Sequence, residues 1–530
     1  MLPIVPKPNG SVSVETGHYA IPQWIIANVG PFEPWCIEAF AARVGKEIVS
    51  GTPWLTLCKA EFDNAEAYTL NVTNDGVVVS AATENGVVQA LTSLYLILDE
   101  NGAAPICQIE DKPKYEYRGQ HFDCSRHFFT VDVVKKILEM MAMVKLNVMH
   151  WHLTDDQGWR IESKKYPKLH EVSGNYYSHE DIKEIVEYAR VRGIEIIPEI
   201  DVPGHTTAVL AAYPELSCSG QEMKPETGAG IFSIILCAGK EEVFTFLEGI
   251  LDEVCPLFPS KRFHIGGDEA PKGEWNKCPH CAKRMDDEGI ANAEDLQGYF
   301  TNRVAAMLAK HGKSIICWND SLEAGNLPDD VLIEYWTNMH AKPMPEYMAK
   351  GGKFVYARKF DLYFDYPYAL IPVEKVYSFK PIIVDGISAE VDSLIGLEGC
   401  LWSERVPDLA KLGEQMFPRV YALAENCWTV EKDYEDFKIR LEKILAVAEK
   451  NGVPYNAKDN WDPSAEERMK NGMVGMKQQF ADIPPEQKAQ VAMMLQYRPE
   501  MLANYMKPFF SDEEWPKILE DLINTLKQSM

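Results

Sequence analysis

From Arg118 to about Trp428, short apolar runs of strand length alternate with longer stretches of helical spacing, the pattern of a parallel sheet closed or covered by helices. The runs predicted as strands are, in order, "RGQHFD", "NVMHWHL", "EIIPEID", "FHIGGDE", "SIICWND", "VLIEYW", "KFVYA" and "EGCLWSE". They reach the count of eight that a (β/α)8 TIM barrel requires. Between them, Thr130 to Val144 sets Val133, Ile137 and Met141 on one helical face, with Val134 and Leu138 beside it. "SHEDIKEIVEYARVRG" opens with a Ser-x-x-Asp cap and stops at Gly193, as a crossover helix should. Residues 360 to 395 read as loop, and a doubly wound sheet is the alternative that the pattern alone leaves open.

Outside this region the pattern changes twice. Residues 1–112 read as a small α+β domain: "AYTLNV" and "GVVVSAA" alternate as strands, and "ENGVVQALTSLYLIL" switches to helical spacing. Residues 113–456 would be the catalytic (β/α)8 domain. Residues 457–530 read as a helical extension with capping signals at Pro484 and Ser511, in which Met469, Met473 and Met476 form a packing surface suited to a homodimer contact or to covering the barrel edge.

Composition narrows the partners. The chain has 530 residues, 46% hydrophobic, enough for sizeable cores, and its formal net charge is −26. That charge repels polyphosphates and anionic surfaces, so neither nucleic acid nor membrane is an expected partner. No signal-peptide pattern opens the sequence and no run approaches the ~18 apolar residues of a membrane span, so a cytoplasmic location is expected. The 12 cysteines are scattered in apolar surroundings, as buried free thiols are. "CPHC" at Cys278–Cys281 has a zinc-like spacing, but a site there would need remote partners such as Cys255; the expectation is no metal and no cofactor.

The chemistry lies at the carboxyl ends of the predicted strands, where barrel enzymes carry their sites. "HWHLTDDQGWR" supplies Asp155 and Asp156, "PEIDVPGH" supplies Asp201 and His205, "GGDE" supplies Asp268 and Glu269, and "CLWSE" supplies Trp402 and Glu404. Each has an ordinary structural explanation alone; their joint placement marks an active site. Trp318, Trp336 and Trp402 recur beside these acids, and aromatic walls with carboxylates suit a sugar, whose ring face is apolar and whose rim is hydroxyl. Asp268 and Glu269 are adjacent, and neighbours on a strand point opposite ways. They are therefore a poor match for two carboxylates ~5–5.5 Å apart across a glycosidic bond, and one should be the acid while the other does something else.

At this point the chain resembles glycoside hydrolase family 20, the β-N-acetylhexosaminidases, across about residues 65 to 430. "RGQHFDCSRHF", "KLNVMHWHLTDDQGWR", "IIPEIDVPGH", "HIGGDE", "LYFDY" and "LWSE" look like that family's successive signatures, in order. The resemblance implies an exo-acting retaining enzyme that releases terminal β-linked N-acetylglucosamine or N-acetylgalactosamine, with the substrate's own 2-acetamido group as nucleophile. By position, Glu269 would be the general acid/base, Asp268 would orient the acetamido N–H, and Tyr363 would donate to the acetamido oxygen. Arg118 and Glu404 would grip outer hydroxyls, Asp365 would bind a hydroxyl, and Trp318, Trp336 and Trp402 would line the pocket. Asp155, Asp201 and His205 would form a polar network behind Glu269. The sequence departs from the family at Gln120 and His121, in the connection between strands seven and eight, and in residues 457–530. Alternatives are a specialised member selective for N-acetylgalactosamine, a modified sugar or a disaccharide unit, and a catalytically silent sugar-binding protein.

Overall fold

The structure, a computed structural model, describes residues 2–383, 387–388, 391–464, 466–467, 485–497 and 515–528. All eight predicted runs are strands of one closed barrel: β1 (Tyr117–Asp123), β2 (Val148–His152), β3 (Glu195–Glu199), β4 (Arg262–His264), β5 (Ser314–Trp318), β6 (Leu332–Tyr335), β7 (Lys353–Tyr356) and β8 (Leu394–Leu401). Closure is made by β8 pairing in parallel with β1, from Gly396 opposite Tyr117 to Leu401 opposite Phe122, which removes the doubly wound alternative.

The crossover helices follow the sequence pattern. Helix Val131–Met143 buries Val134, Ile137, Leu138 and Met141. Helix His179–Arg190 starts from a capping box in which Ser178 Oγ accepts from the Asp181 N–H and Asp181 accepts from the Ser178 N–H. The stretch read as loop contains two short helices, Lys359–Leu362 and Val373–Ser378, and the two-strand pair Ile382–Ile383 with Ile387–Ser388.

Every second barrel residue points inward, so the strands fill the interior in layers. Tyr117, Val148, Ile197, Ile316, Leu332, Val355 and Ile395 form an apolar layer at the amino-terminal end. Two residues further along β2, β3 and β6 the interior turns polar at His150, Glu199 and Glu334, which His264 and Glu398 join, all five buried. The carboxyl side of this charged layer is the floor of the site.

Before the barrel lies a six-stranded sheet, in spatial order Val12–Ala20, Ala103–Asp111, Tyr68–Thr73, Gly76–Ala81, Leu55–Lys59 and Ala27–Asn28, with helix Glu84–Ile97 packed on it. The sheet is joined to the barrel's amino-terminal end by buried ion pairs: Arg118 to Glu66 at 2.6 Å and Lys145 to Asp111 at 2.8 Å, both cations facing the Trp428 ring.

After the barrel, the segment past residue 456 is still part of the same body. Trp461 is buried, its carbonyl accepts from the Val373 N–H, and Asp462 accepts from the Glu374 N–H. The expected boundary between 456 and 457 therefore cuts through packed structure. Of the extension, helices Pro485–Tyr497 and Trp515–Gln528 are described and pack on each other around Ala492 and Leu495. Pro484, Ser511, Met469, Met473 and Met476 lie outside the described residues.

Candidate active site

Strand β4 ends at His264, five residues before Glu269, and the chain then enters a left-handed turn instead of continuing as strand. Gly266 (φ 66°), Gly267 (φ 89°) and Glu269 (φ 44°) all take positive φ. Glycine is required at the first two: a Cβ on Gly266 would lie 1.8 Å from Asp201 Oδ1, and one on Gly267 2.4 Å from Ser321 Oγ. This turn corrects the expectation drawn from strand geometry, because off the strand the two neighbouring acids do not diverge, and both face one cavity.

That cavity holds about 250 Å3 at the carboxyl end of the barrel, with Asp268 and Glu269 on its wall. Arg126, His205, Trp336, Tyr363, Asp365, Trp402 and Glu404 join them, together with Lys359, Tyr366, Arg405 and Ala229. The rings of Trp336 and Tyr363 stack at 6.3 Å with 15° between planes, and the Arg126 guanidinium lies 4.7 Å from the Trp402 ring. Asp268 Oδ1 and Asp365 Oδ1 are buried without a hydrogen-bond partner. Buried polar atoms normally have one, so these two wall residues keep unused hydrogen-bonding capacity.

The expected polar network is present, with its parts reassigned. His205 Nε2 stands 3.6 Å from Glu269 Oε2 and 3.7 Å from Asp268 Oδ2, while its Nδ1 faces Asp156 at 3.1 Å and Asp155 at 3.3 Å. His205 itself has φ 51°, a backbone strain that fixes the ring between these acids. Asp155 also binds Arg126 at 2.6 Å and His152 at 2.9 Å. Asp201 belongs behind Asp268 rather than Glu269: it accepts the Gly267 N–H at 3.1 Å, and its own proton affinity is raised by burial and then by the Asp268 charge.

Two expectations fail. Arg118 sits at the start of β1, fully buried in the ion pair with Glu66, and about 17 Å of strand separates it from the site. Within the same "RGQHFDCSRHF" stretch, the guanidinium that reaches the cavity is that of Arg126, eight residues on and beyond the strand's carboxyl end. Trp318 is not on the cavity wall; its indole is buried 5.9 Å from the Trp402 ring and donates to Glu199 at 3.1 Å.

Sequence reasoning also missed residues beneath and around the site. Glu199 accepts from Trp318 and is ion-paired with His150 at 3.0 Å and with His152, which continues to Asp155. Asp320 accepts the Trp336 indole N–H at 2.6 Å and the Glu269 backbone N–H at 3.3 Å. The available signal was polar residues at alternate positions inside otherwise apolar strands, as in "MHWH" and "IPE". Cys278 and Cys281 do gather distant partners, but these are Cys218 and Cys237 rather than Cys255.

Electrostatics separate the adjacent acids. Burial pushes Asp268 up to about 7, with the nearby acids Asp320 and Glu269 adding to the rise against the opposing pull of His205. Burial also penalises ionised Glu269, yet the close approach of charged His205, with Lys359 and Arg126, outweighs it and holds that carboxyl below its ordinary range. His205 is kept protonated well above the usual imidazole range: burial opposes its charge, and the Asp155 carboxylate, with Asp156 and Glu269 beside the ring, overcomes it. Alternating charges thus run from Glu199 through His152 and Asp155 to His205 and then Glu269.

A barrel whose carboxyl-end pocket combines stacked aromatics with a cluster of carboxylates has the site of a carbohydrate-cleaving enzyme. Residues 115–431 match the catalytic domain of glycosyl hydrolase family 20 and residues 39–112 match domain 2 of the same family, so the chain belongs to glycosyl hydrolase family 20. Among curated relatives, a beta-hexosaminidase of Porphyromonas gingivalis is 35% identical over 440 residues, covering 74% of this chain and 54% of that protein. One of Akkermansia muciniphila is 32% identical over 407 residues, covering 71% of this chain and 82% of its own. A solved exo beta-N-acetylglucosaminidase from Vibrio harveyi, in complex with N-acetylglucosamine, superposes with TM-score 0.77 at 28% identity, covering 86% of this chain and 78% of that one. The chain spans about half the length of the Porphyromonas relative.

Proposed function

We propose that this protein is an exo-acting retaining β-N-acetylhexosaminidase that removes terminal β-linked N-acetylglucosamine or N-acetylgalactosamine from glycans. The observation that carries the reading is the convergence of three carboxylates, Asp268, Glu269 and Asp365, with the aromatic walls Trp336, Tyr363 and Trp402 on one cavity of about 250 Å3. That volume lies below the ~300 Å3 at which sites for drug-sized ligands begin, and it suits one sugar ring rather than a length of chain. The names of the Porphyromonas and Vibrio relatives support the same chemistry.

In this reading the substrate's acetamido oxygen attacks the anomeric carbon and the glycosidic bond breaks toward the leaving oxygen, giving an oxazolinium ion. Asp268 accepts the acetamido N–H and faces the positive charge that develops there; both effects favour its ionised form against the burial that raises its proton affinity. Tyr363 donates to the acetamido oxygen. Glu269 protonates the leaving oxygen, then takes a proton from water attacking the same carbon. The surrounding cations favour ionised Glu269, and His205, protonated and 3.6 Å away, is the store from which the acid form is drawn. Arg126 takes the gripping role first expected of Arg118, with Glu404 and Asp365 as its partners on the sugar rim, and Trp336 and Trp402 form the wall. Every step is supplied by these side chains and the substrate, so the chemistry calls for no cofactor.

The test is a substrate pair that differs only at carbon 2. Replacing 2-acetamido by hydroxyl should reduce kcat/KM at least 10³-fold, and NMR of the first-formed sugar should show the β anomer. An α product, or intact-mass evidence for a sugar bonded to Asp or Glu, would overturn the mechanism.

A further inference from the structure

Away from the reacting atoms, four cysteines from three parts of the chain meet at one point: Cys218, Cys237, Cys278 and Cys281, with all four sulfurs within 4.8 Å of one another. The separations are 3.9 Å for Cys218–Cys281, 3.8 Å for Cys237–Cys278 and 3.6 Å for Cys237–Cys281. A disulfide needs sulfurs about 2.05 Å apart, so none of these pairs is bonded. A tetrahedron with metal–sulfur bonds of about 2.3 Å has edges of about 3.8 Å, which is the spacing found. We propose that these four cysteines bind one zinc ion as a tetrahedral tetrathiolate site, and that the ion anchors the loop over the sugar cavity to the segment leaving the catalytic acids.

The backbone around the cluster is built for this. Cys278 is the N-cap of helix Pro279–Glu288 and Cys281 lies in its first turn, where free N–H groups and the helix dipole favour thiolates. Gly239 lets a second turn close against this one: a Cβ there would lie 2.1 Å from the His280 carbonyl carbon and 2.3 Å from the Cys281 nitrogen. Two CxxC-like knuckles facing each other is a common way for a protein to surround zinc, and the second pair here is assembled from Cys218 and Cys237, too far apart in sequence for spacing to reveal.

The position of the cluster gives the ion its role. Cys218 and Cys237 close the two ends of a loop whose base is pinned by the Ser217–Leu236 bridge and the Cys237 N–H to Leu216 carbonyl bond at 2.9 Å. The middle of that loop reaches the site: Ala229 lines the cavity, and the Glu226 N–H donates to the Asp156 carbonyl at 2.9 Å. Cys278 follows Glu269 by nine residues, and between them the buried Trp275 indole donates to the Leu236 carbonyl at 2.9 Å. Zinc would therefore hold loop and catalytic turn at a fixed separation, a structural role with no part in bond cleavage.

The full-length protein, purified without chelator or affinity metal, should contain one zinc per chain by elemental analysis and native mass. X-ray absorption at the zinc edge should show four sulfur neighbours at about 2.3 Å. Replacing bound metal with cobalt(II) should give the intense sulfur-to-metal charge-transfer and ligand-field bands of a tetrahedral tetrathiolate. The double variant Cys278→Ser/Cys281→Ser should lose at least nine-tenths of the zinc, and in its folded fraction KM should rise about tenfold or more as the loop is released. Four titratable thiols with no metal after growth in zinc-supplied medium, iron in place of zinc, or a zinc site with nitrogen or oxygen neighbours would each overturn the assignment. Metal content and absorption do not depend on any substrate, so failure here is distinguishable from failure of the proposed hydrolysis.

Discussion

Asp268 shows at the residue scale how function costs stability. Its carboxyl is pushed up to about 7 by burial and nearby acids, whereas in the unfolded chain it titrates near ~3.9. Between those values the folded protein keeps a proton that the unfolded chain has released. Stability therefore falls as pH rises from about 4 to about 7, and the cost is complete above 7. Asp268→Asn removes the titration while keeping the shape. The variant should be more stable than the parent at pH 8 by about 1–4 kcal/mol and gain little at pH 4.5, while turnover falls about 10²–10³-fold. Melting curves of both proteins at the two pH values, beside kcat, check this; an equal shift at both pH values would sink the linkage argument.

At the scale of an element, β1 and its continuation carry two arginines to opposite ends of the barrel. Arg118 at the amino-terminal end is paired with Glu66 and belongs to the seam with the preceding sheet; Arg126 past the carboxyl end belongs to the cavity. Removing Arg118 strands Glu66, so Arg118→Ala should cost about 3–5 kcal/mol of stability with little change in kcat/KM of the folded fraction. Arg126→Ala should lower kcat/KM at least tenfold in protein that is still folded. Denaturation midpoints and rates corrected for active protein separate the two, and comparable losses of kcat/KM would contradict the assignment of Arg118 to the seam.

For the whole molecule, the question is where the working body ends. Trp461 is buried and bonded through its backbone to the segment that crosses from β7 to β8, so the chain is needed at least through Asp462. A protein ending at Ser464 should keep kcat/KM within about twofold and melt as a single unit. One ending at Asn456 loses the buried indole, and should be destabilised by the ~3–5 kcal/mol typical of deleting a buried tryptophan side chain. Melting temperature and kcat of the two truncates decide it; equal stability would place the boundary where the change in sequence polarity first put it.

What the sequence alone determined is whatever local periodicity and local chemistry encode. Eight apolar runs of strand length with helices between them can be read from the chain because burial on both faces demands continuous apolar residues, and the cap at Ser178 because its partner Asp181 is three residues away. Asp268, Glu269, His205, Trp402 and Glu404 were legible as site candidates because each lies at or just past the end of such a run, and Tyr363 only through the resemblance carried by "LYFDY". Tertiary structure decided the rest, for reasons of direction and distance. The left-handed backbone at Gly266, Gly267 and Glu269 turned adjacent acids to one side, which strand alternation forbids. The rise along β1 sent Arg118 to one end and left Arg126 at the other, a difference invisible when both sit in one motif. The charged layer around Glu199 and the four-cysteine cluster are assembled from residues far apart in sequence, and only the closure of the barrel and the docking of its loops bring them within bonding distance.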